Sequence, residues 1–316
     1  GMAFKYINPG YANLLDTDTG TSVEGAKYSK TGTAFWQPKA KCGIVLTEPL
    51  TELYGKFDVY LHHESNSSSD DVDIRILADG RHGAGVQKNY GDWILCGYIS
   101  HSAEIYIRKY ADAPEAFKAA THLKLENINT VYFHIKQDAG TKKGEINLWV
   151  NGVKIGTGQR DNVDLRNSKM IEIVSTKKYG LLSNIILSDT VIDPREQVIL
   201  LPSTTVETTM EDSGNGMYTA TSPGQMLLQT VDTAALAATY GEESQVTGIA
   251  LVGNPAYRTA EGLCALTALE KNGETVTEYG RHVLKEQPPG GIVDSRAVSL
   301  RLAELTGRKF GWKAGE

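Results

Sequence analysis

Seven short apolar stretches between residues 55 and 189 constrain the fold of this chain more than any other feature. Each is rich in β-branched and aromatic residues and is bounded by Gly, Asn, Asp or Ser, as strands between turns are. They are Gly55 to Glu64, Asp71 to Asp79, Trp93 to Ser100, Ala103 to Tyr110, Thr130 to Asp138, Ile146 to Gly158 and Gly180 to Asp189. Short strands at this spacing, with almost no helical periodicity, predict an antiparallel β-sandwich.

The dipeptide Asn151-Gly152 lies between two alternating strands and predicts a tight hairpin. Both residues of such a turn take a positive φ, which Asn and Gly tolerate best. Asn272-Gly273 predicts a second hairpin of this kind, in a different part of the chain.

A change of composition near residue 200 predicts two domains. The chain has 316 residues, more than one hydrophobic core usually serves, and Pro194 and Pro202 interrupt the connecting segment. We therefore expect a larger domain over residues 1–198 and a smaller one over residues 203–316.

The second domain is predicted to be mainly β. Its expected strands are Met217 to Thr221, Gln225 to Val231, Gln245 to Gly253, Leu263 to Lys271, Thr275 to Leu284 and Ala297 to Leu302. One short helix is expected at "DTAALAATYG", because Asp232 can accept hydrogen bonds from the first turn and Gly241 can end the helix with a positive φ. The segment "SLRLAELTG" fits neither a helical nor a strand period.

Charge and composition exclude several classes of protein. The net charge is −6 and the 32 Lys and Arg residues are scattered, which argues against a nucleic-acid partner. No apolar run approaches the roughly 20 residues that span a bilayer, so membrane insertion is not expected. The three cysteines, Cys42, Cys96 and Cys264, have no disulfide or zinc spacing and are expected to be buried thiols in a chain made in a reducing compartment.

The order of features in residues 1–195 resembles the concanavalin A-like lectin and glucanase superfamily, in particular its laminin-G-like branch. The matching pieces are "GKFDVYLHHE", then "TVYFHIKQDAGTKKGEINLWVNGVKIGTG", then "YGLLSNIILSD". The resemblance implies an all-β jelly-roll sandwich of two curved antiparallel sheets, with a concave face that often holds glycans. Fold does not fix chemistry, since many members bind protein or act as spacers.

Residues 203–316 resemble the small β domains of phage and prophage virion proteins, including tail and decoration proteins. The runs that carry this resemblance are "SQVTGIALVGNPAYRT", "ALEKNGETVTEYGRHVL" and "RLAELTGRKFGWKAGE". Such proteins assemble in the bacterial cytoplasm without a signal peptide. The resemblance therefore implies a location in the virion and contacts with other virion proteins.

The strand "SDDVDIRI" is the first candidate for an active site. In glucanases of the superfamily, one strand carries the pattern Glu-x-Asp-x-(x)-Glu, because residues two and four apart project from one face. Asp71 and Asp73 take the first two acidic positions here, but the last falls on Arg75 or Ile76. Neither residue can act as the general acid, so we expect no catalytic residues on this strand.

The same strand is instead a candidate ligand-binding surface. Asp71, Asp73 and Arg75 are polar groups on one strand face, and Tyr90 and Trp93 follow a Gly-rich loop and can stack on sugar rings. Most aromatic residues in a β protein serve the core or cross-strand pairs, which is the alternative for these two.

Calcium is the one cofactor that the sequence leaves open. Glu64, Asn66 and Asp70 lie close together in "HHESNSSSDD" and offer the hard oxygen ligands that calcium uses. The loop lacks the ordered pattern of an EF-hand, and a solvated polar turn is the alternative.

These observations predict a non-enzymatic, virion-associated protein of a phage or prophage. Its lectin-like domain is expected to bind a surface carbohydrate or to act as a structural or adhesion module. Weak sugar sites gain strength through multivalency, so a homo-oligomer is expected. The alternatives are a glycoside hydrolase of the glucanase-like branch and a capsid decoration protein with no ligand.

Overall fold

The computed structural model describes residues 4–15, 20–36, 43–48, 50–62, 72–77, 93–97, 104–108, 115–120, 123–137, 144–160, 170–175, 180–258, 263–286 and 290–316. The chain forms two compact units. Unit 1 is Gly1–Val198 and unit 2 is Ile199–Glu316.

Unit 1 contains two antiparallel sheets. Its strands are β1 (Lys5–Asn8), β2 (Thr21–Glu24), β3 (Thr33–Trp36), β4 (Gly43–Val45), β5 (Glu52–Leu61), β6 (Val72–Leu77), β7 (Trp93–Gly97), β8 (Glu104–Arg108), β9 (Glu115–Ala120), β10 (Ile128–Gln137), β11 (Gly144–Val150), β12 (Val153–Arg160), β13 (Met170–Ser175) and β14 (Gly180–Ser188). Sheet A has eight strands in the order β12-β11-β10-β5-β14-β3-β2, with β1 also paired to β14. Sheet B has six strands in the order β4-β13-β6-β7-β8-β9.

All seven predicted stretches contain strands, and the prediction of an all-β fold is confirmed. Six further strands of unit 1 were not predicted: β1 to β4, β9 and β13. They are short, and segments such as "EAFKAA" of β9 lack the β-branched alternation that marks a strand in sequence. Pairing with neighbouring strands, rather than local propensity, makes them extended.

Alternation along the central strands builds the core of unit 1. On β5, Leu53, Phe57 and Val59 are at most 1% exposed and face the interior. On the neighbouring β10, Val131 and Phe133 are fully buried on the same face. The intervening residues of both strands lie on the other face, so a single period of two gives sheet A one apolar and one polar side.

The predicted Asn-Gly hairpin joins β11 and β12. Asn151 has φ +49° and Gly152 has φ +80°, as a tight primed turn requires. The Asn151 side-chain oxygen also accepts a hydrogen bond from the backbone N–H of Thr130 at 2.8 Å, which ties the turn to β10.

Unit 2 is a smaller β structure. Its elements are β15 (Ser203–Thr208), β16 (Glu211–Gly214), β17 (Met217–Thr219), β18 (Met226–Val231), α1 (Ala234–Tyr240), β19 (Gln245–Gly253), β20 (Ala265–Asn272), β21 (Thr275–Val283), β22 (Ile292–Arg301) and β23 (Lys309–Gly315). Sheet C has the order β15-β18-β23-β20-β21, and β16-β17 and β19-β22 form separate pairs. Two apolar clusters, centred on Trp312 and Phe310, bring residues of sheet C together with residues of β19 and β22.

The predicted helix forms, and its start differs slightly from expectation. Asp232 accepts a hydrogen bond from the Ala234 N–H at 3.0 Å, while Thr233 is the residue that precedes the helix. Gly241 ends it with φ +90°. The ambiguous segment "SLRLAELTG" spans the end of β22 and a single 3-10 turn from Leu302 to Leu305, which explains why it has no single period.

Cys264 is a free thiol and is half-buried rather than fully buried. The cysteine predictions for Cys42 and for the side chain of Cys96 lie outside the described residues. In the described part of the chain, no helix has both the length and the apolar character needed to cross a membrane.

Candidate functional site

Strand β6, which carries Asp73 and Arg75, lies in the middle of sheet B. In register, Arg75 is opposite Glu172 of β13 on one side and Ile94 of β7 on the other. The side chains of Asp73, Arg75 and Glu172 lie outside the described part of the structure. The prediction that Asp73 and Arg75 form a binding surface stays a prediction.

Trp93 of β7 is in register with Ile76 of β6, which is in turn in register with Ile171 of β13. The side chain of Trp93 lies outside the described part of the structure. That Trp93 and Arg75 belong to one binding surface stays a prediction.

Five of the residues named from the sequence lie outside the described residues. They are Glu64, Asn66, Asp70, Asp71 and Tyr90. Their roles in sugar or calcium binding stay predictions.

The described side chains converge on a second surface, the face of sheet A that points away from the core. We call it the polar aromatic face. It comprises Glu52, Tyr54 and Lys56 of β5, Tyr132, His134 and Lys136 of β10, and Glu145, Asn147 and Trp149 of β11. No aliphatic residue interrupts this set, whereas the opposite side of the same three strands is apolar.

A stacked pair, Tyr54 and His134, lies at the centre of this face. The two rings are 4.1 Å apart between centroids, with an interplanar angle of 7°. Glu52 holds both rings, because its Oε1 atom is 2.5 Å from His134 Nε2 and accepts a hydrogen bond from the Tyr54 hydroxyl at 3.1 Å. The pair is therefore fixed in orientation before any ligand arrives.

A second aromatic pair lies one register row away. Tyr132 and Trp149 meet edge to face, with ring centroids 5.2 Å apart. Lys154 of β12 is opposite Trp149, and its Nζ atom lies 5.5 Å from the centroid of the indole ring. The two pairs together place four rings on three adjacent strands.

Polar groups beside the rings are held by cross-strand contacts. Asn147 donates to Glu145 Oε1 at 2.9 Å and accepts from the Thr157 hydroxyl at 2.7 Å. Lys136 Nζ is 3.8 Å from Glu145 Oε1. Amide, carboxylate and ammonium groups therefore surround the aromatic pairs in defined positions.

The two tyrosines on this face keep their protons well above neutral pH. Burial, then the hydrogen bond to Glu52 and its negative charge, raise the pKa of Tyr54 to about 12. Burial, then the charges of Glu196 and Asp193, raise the pKa of Tyr132. Both phenols are therefore neutral rings with a fixed hydroxyl donor.

The segment Asp189–Val198 covers one border of the polar aromatic face. Lys56 donates to the carbonyls of Pro194 and Glu196, each at 2.6 Å, and the Tyr132 hydroxyl donates to the Ile192 carbonyl at 2.8 Å. Ile192 itself is fully buried. The segment leaves the stacked pair and Trp149 partly open to solvent.

Among the residues that the structure describes, no group of three or more His, Cys, Asp and Glu side chains is close enough to hold a metal ion. The arrangement on sheet A is suited to stacking and hydrogen bonding.

No protein-family model matches the chain, and no curated protein matches it in sequence. Among solved structures, similarity is found to lectins and lectin-like proteins. Arcelin-5, a lectin-like defence protein from Phaseolus vulgaris, is 9% identical with a TM-score of 0.38, covering 60% of this chain and 98% of its own. The carbohydrate recognition domain of Emp46p is 11% identical with a TM-score of 0.38, covering 59% and 97%.

An alginate lyase, vAL-1 from a Chlorella virus, is also similar. It is 10% identical with a TM-score of 0.34, covering 58% of this chain and 91% of its own. Similarities at this level of identity and TM-score carry no argument about what this chain binds or catalyses.

Proposed function

We propose that unit 1 binds carbohydrate without cleaving it, and that the polar aromatic face of sheet A holds the sugar. The stacked pair of Tyr54 and His134, fixed by Glu52 and flanked by Trp149, is the observation that carries this proposal. A pyranose ring presents one face of C–H groups and a rim of hydroxyls. Flat aromatic rings suit the first, and fixed polar groups suit the second.

The preset geometry favours binding of a weak ligand. Glu52 is already held by His134 and Tyr54, so a sugar would not have to order it. Binding that immobilises fewer side chains keeps more of its interaction free energy.

The test is a glycan array screened with the full chain, followed by titration calorimetry on the sugars that bind. Tyr54→Ala and Trp149→Ala should each weaken binding about tenfold, because an aromatic contact contributes about 0.5–1.5 kcal/mol beyond buried area. Tyr240→Ala is the matched control, since Tyr240 is 52% exposed and lies in unit 2. An array without any signal, or unchanged binding in both variants, contradicts the proposal.

The strand β6 surface is a separate location for the same function. Asp73→Ala and Arg75→Ala, measured on the same sugars, distinguish the two faces. Loss of binding in these variants alone moves the site to sheet B. Repeating the titrations with and without EDTA tests whether calcium, the cofactor that the sequence leaves open, contributes to binding.

Glycoside cleavage is the second candidate function. In the acidic strand "SDDVDIRI", Asp71 and Asp73 take two of the three acidic positions that glucanases of the resembled superfamily use. Release of reducing sugar from a polysaccharide panel by the full chain, abolished by Asp73→Asn, would establish cleavage.

We also propose that the protein is part of a phage or prophage virion. The resemblance of residues 203–316 to virion β domains supports this. Mass spectrometry of particles purified from an induced culture should find the protein in stoichiometric amounts. Virion-associated protein that binds no glycan would instead fit a decoration protein.

A further inference from the structure

Strand β21 ends sheet C and presents an open edge. In the described part of unit 2 it pairs with β20 on one side only. Seven of its nine residues are exposed, and its sequence, TVTEYGRHV, contains neither Pro nor Lys. Exposed edges of this length can pair with another strand, unless Pro, like charges or an unmatched bulge prevents it.

A bulge in the middle of β21 changes which residues share a face. Tyr279 and Gly280 together oppose the single residue Ala268, because the register shifts between Thr267 and Leu269. Glu278 and Arg281, three positions apart, consequently lie on one face of the sheet, which a regular strand would not allow.

The outer face of β21 carries four residues in a symmetric order. On one side of the bulge Glu278 is followed outward by Val276. On the other side Arg281 is followed outward by Val283. Val276 is 44% exposed and Val283 is 63% exposed. Two apolar residues therefore flank two opposite charges. Within one chain Glu278 pairs with Lys313 and Arg281 donates to the Glu316 carbonyl, so the dimer exchanges exposed contacts for contacts between copies.

We propose that β21 pairs antiparallel with β21 of a second copy of this chain, about a two-fold axis through the bulge. Glu278 then lies opposite the partner's Arg281, and Val276 lies opposite the partner's Val283. The two-fold axis repeats each of these contacts, so each occurs twice in the dimer. A closed two-fold interface of this kind is self-complementary, and it joins two five-stranded sheets into one.

The other edge of sheet C lacks this complementarity. Strand β15 has the sequence STTVET, in which Glu207 is the sole charged residue. Pairing of β15 with itself offers no opposite charge, so the partner fits at β21.

Analytical ultracentrifugation of the full chain tests the proposal. The unmodified protein should sediment as a dimer. Glu278→Arg should raise the dimer dissociation constant about tenfold or more, because like charges then lie opposite at both contacts, and Arg281→Glu should do the same. Glu207→Arg, a charge reversal at the opposite edge, should leave the dimer unchanged.

Mixing the two single variants gives the decisive measurement. A chain with Glu278→Arg carries two arginines at these positions, and a chain with Arg281→Glu carries two glutamates. Both contacts of a mixed dimer are therefore complementary, and the mixture should dimerise when neither variant does so alone. Circular dichroism of each variant excludes unfolding as the cause of dissociation.

Two results overturn the proposal. One is an unmodified protein that stays monomeric throughout the concentration range. The other is a dimer that neither charge reversal weakens, which would place the interface elsewhere.

Discussion

Gly55 of β5 lies directly opposite Phe133 of β10, so close that a Cβ atom at residue 55 would overlap the phenylalanine ring. Both residues are buried in the core of unit 1. Gly55→Ala should lower the free energy of unfolding by about 1–3 kcal/mol, as overpacking does. Urea denaturation measures this change.

Two further variants test whether overlap with Phe133 causes the loss of stability in Gly55→Ala. Gly315→Ala adds a Cβ atom that meets nothing within 4 Å and should be nearly neutral. Adding Phe133→Leu to Gly55→Ala should recover part of the loss, because a smaller side chain leaves room for the methyl group. Equal effects of Gly55→Ala with and without Phe133→Leu would contradict the steric explanation.

Asn184 combines an unusual backbone with a buried hydrogen-bond network. It has φ +52° at a bulge of β14 and is 7% exposed. Its amide nitrogen donates to Asp58 at 3.0 Å, and its amide oxygen accepts from the Thr31 hydroxyl at 2.8 Å. Asn184→Gly should cost about 1–3 kcal/mol of unfolding free energy, because the buried carboxylate of Asp58 loses a donor.

Asn184→Ala separates the backbone contribution from the side-chain contribution. Alanine loses the same hydrogen bonds and also tolerates a positive φ poorly, so it should cost about 1 kcal/mol more than glycine. Thermal denaturation of the two variants side by side gives the difference. Alanine as stable as glycine would show that the φ of residue 184 contributes nothing.

Tyr60 predicts a loss of stability at alkaline pH. Burial, the hydrogen bond to Glu126 at 2.6 Å and the charge of Glu126 raise its pKa to about 12. A tyrosine in the unfolded chain has a pKa of about 10. Because the folded pKa is the higher one, the stabilisation is fully present below pH 10 and is lost as the pH rises towards 12.

Absorbance at the phenolate band during a pH titration measures this ionisation. Tyr60→Phe should remove one late-ionising group and make stability between pH 10 and 12 less dependent on pH. The prediction fails when the unmodified protein and the variant lose stability in parallel over that range.

Glu270 predicts acid sensitivity in unit 2. Burial raises the pKa of Glu270, but hydrogen bonds from Arg308 and Tyr279 and the charges of Arg296 and Arg308 outweigh it, so the pKa is lowered. The folded pKa is then below the unfolded value of about 4.3, so the stabilisation is present above that pH and is lost as the pH falls.

Removing the charge of Glu270 should be costly at neutral pH. Its carboxylate is 2.8 Å from Arg308 and 3.2 Å from Arg296, and all three side chains are largely buried. Glu270→Gln should lower the unfolding free energy by about 3–5 kcal/mol, because two buried cations lose their partner. Glu243→Gln, at an exposed ion pair with Arg301, should change it by less than about 1 kcal/mol.

The strands with strict alternation could be predicted from sequence because their signal is local. Alternation in residues 130–138 identified β10, and Asn151-Gly152 identified the hairpin that follows. Strands such as β4 and β9 are short and lack this pattern, so they are recognised only by the neighbours with which they pair.

The candidate sites also combine features that are visible in local sequence with features that only strand pairing produces. Alternation alone predicted a common face for Asp73 and Arg75, but only the register of β13 places Glu172, nearly 100 residues away in sequence, opposite Arg75. Tyr54 and His134 are 80 positions apart, and nothing near either residue indicates that their rings stack. The bulge at Tyr279 and Gly280 likewise changes which residues of β21 share a face. No local sequence pattern indicates this shift in pairing.

The sequence by itself determined that this chain is all β, where its main strands lie and where its tight turn forms. These depend on the period of two and on the φ preferences of single residues, which are local properties. Only the tertiary structure decided which strands are neighbours and in which register. Because register sets which side chains share a face, it also decided where the aromatic pairs, the buried ion pairs and the open edge occur.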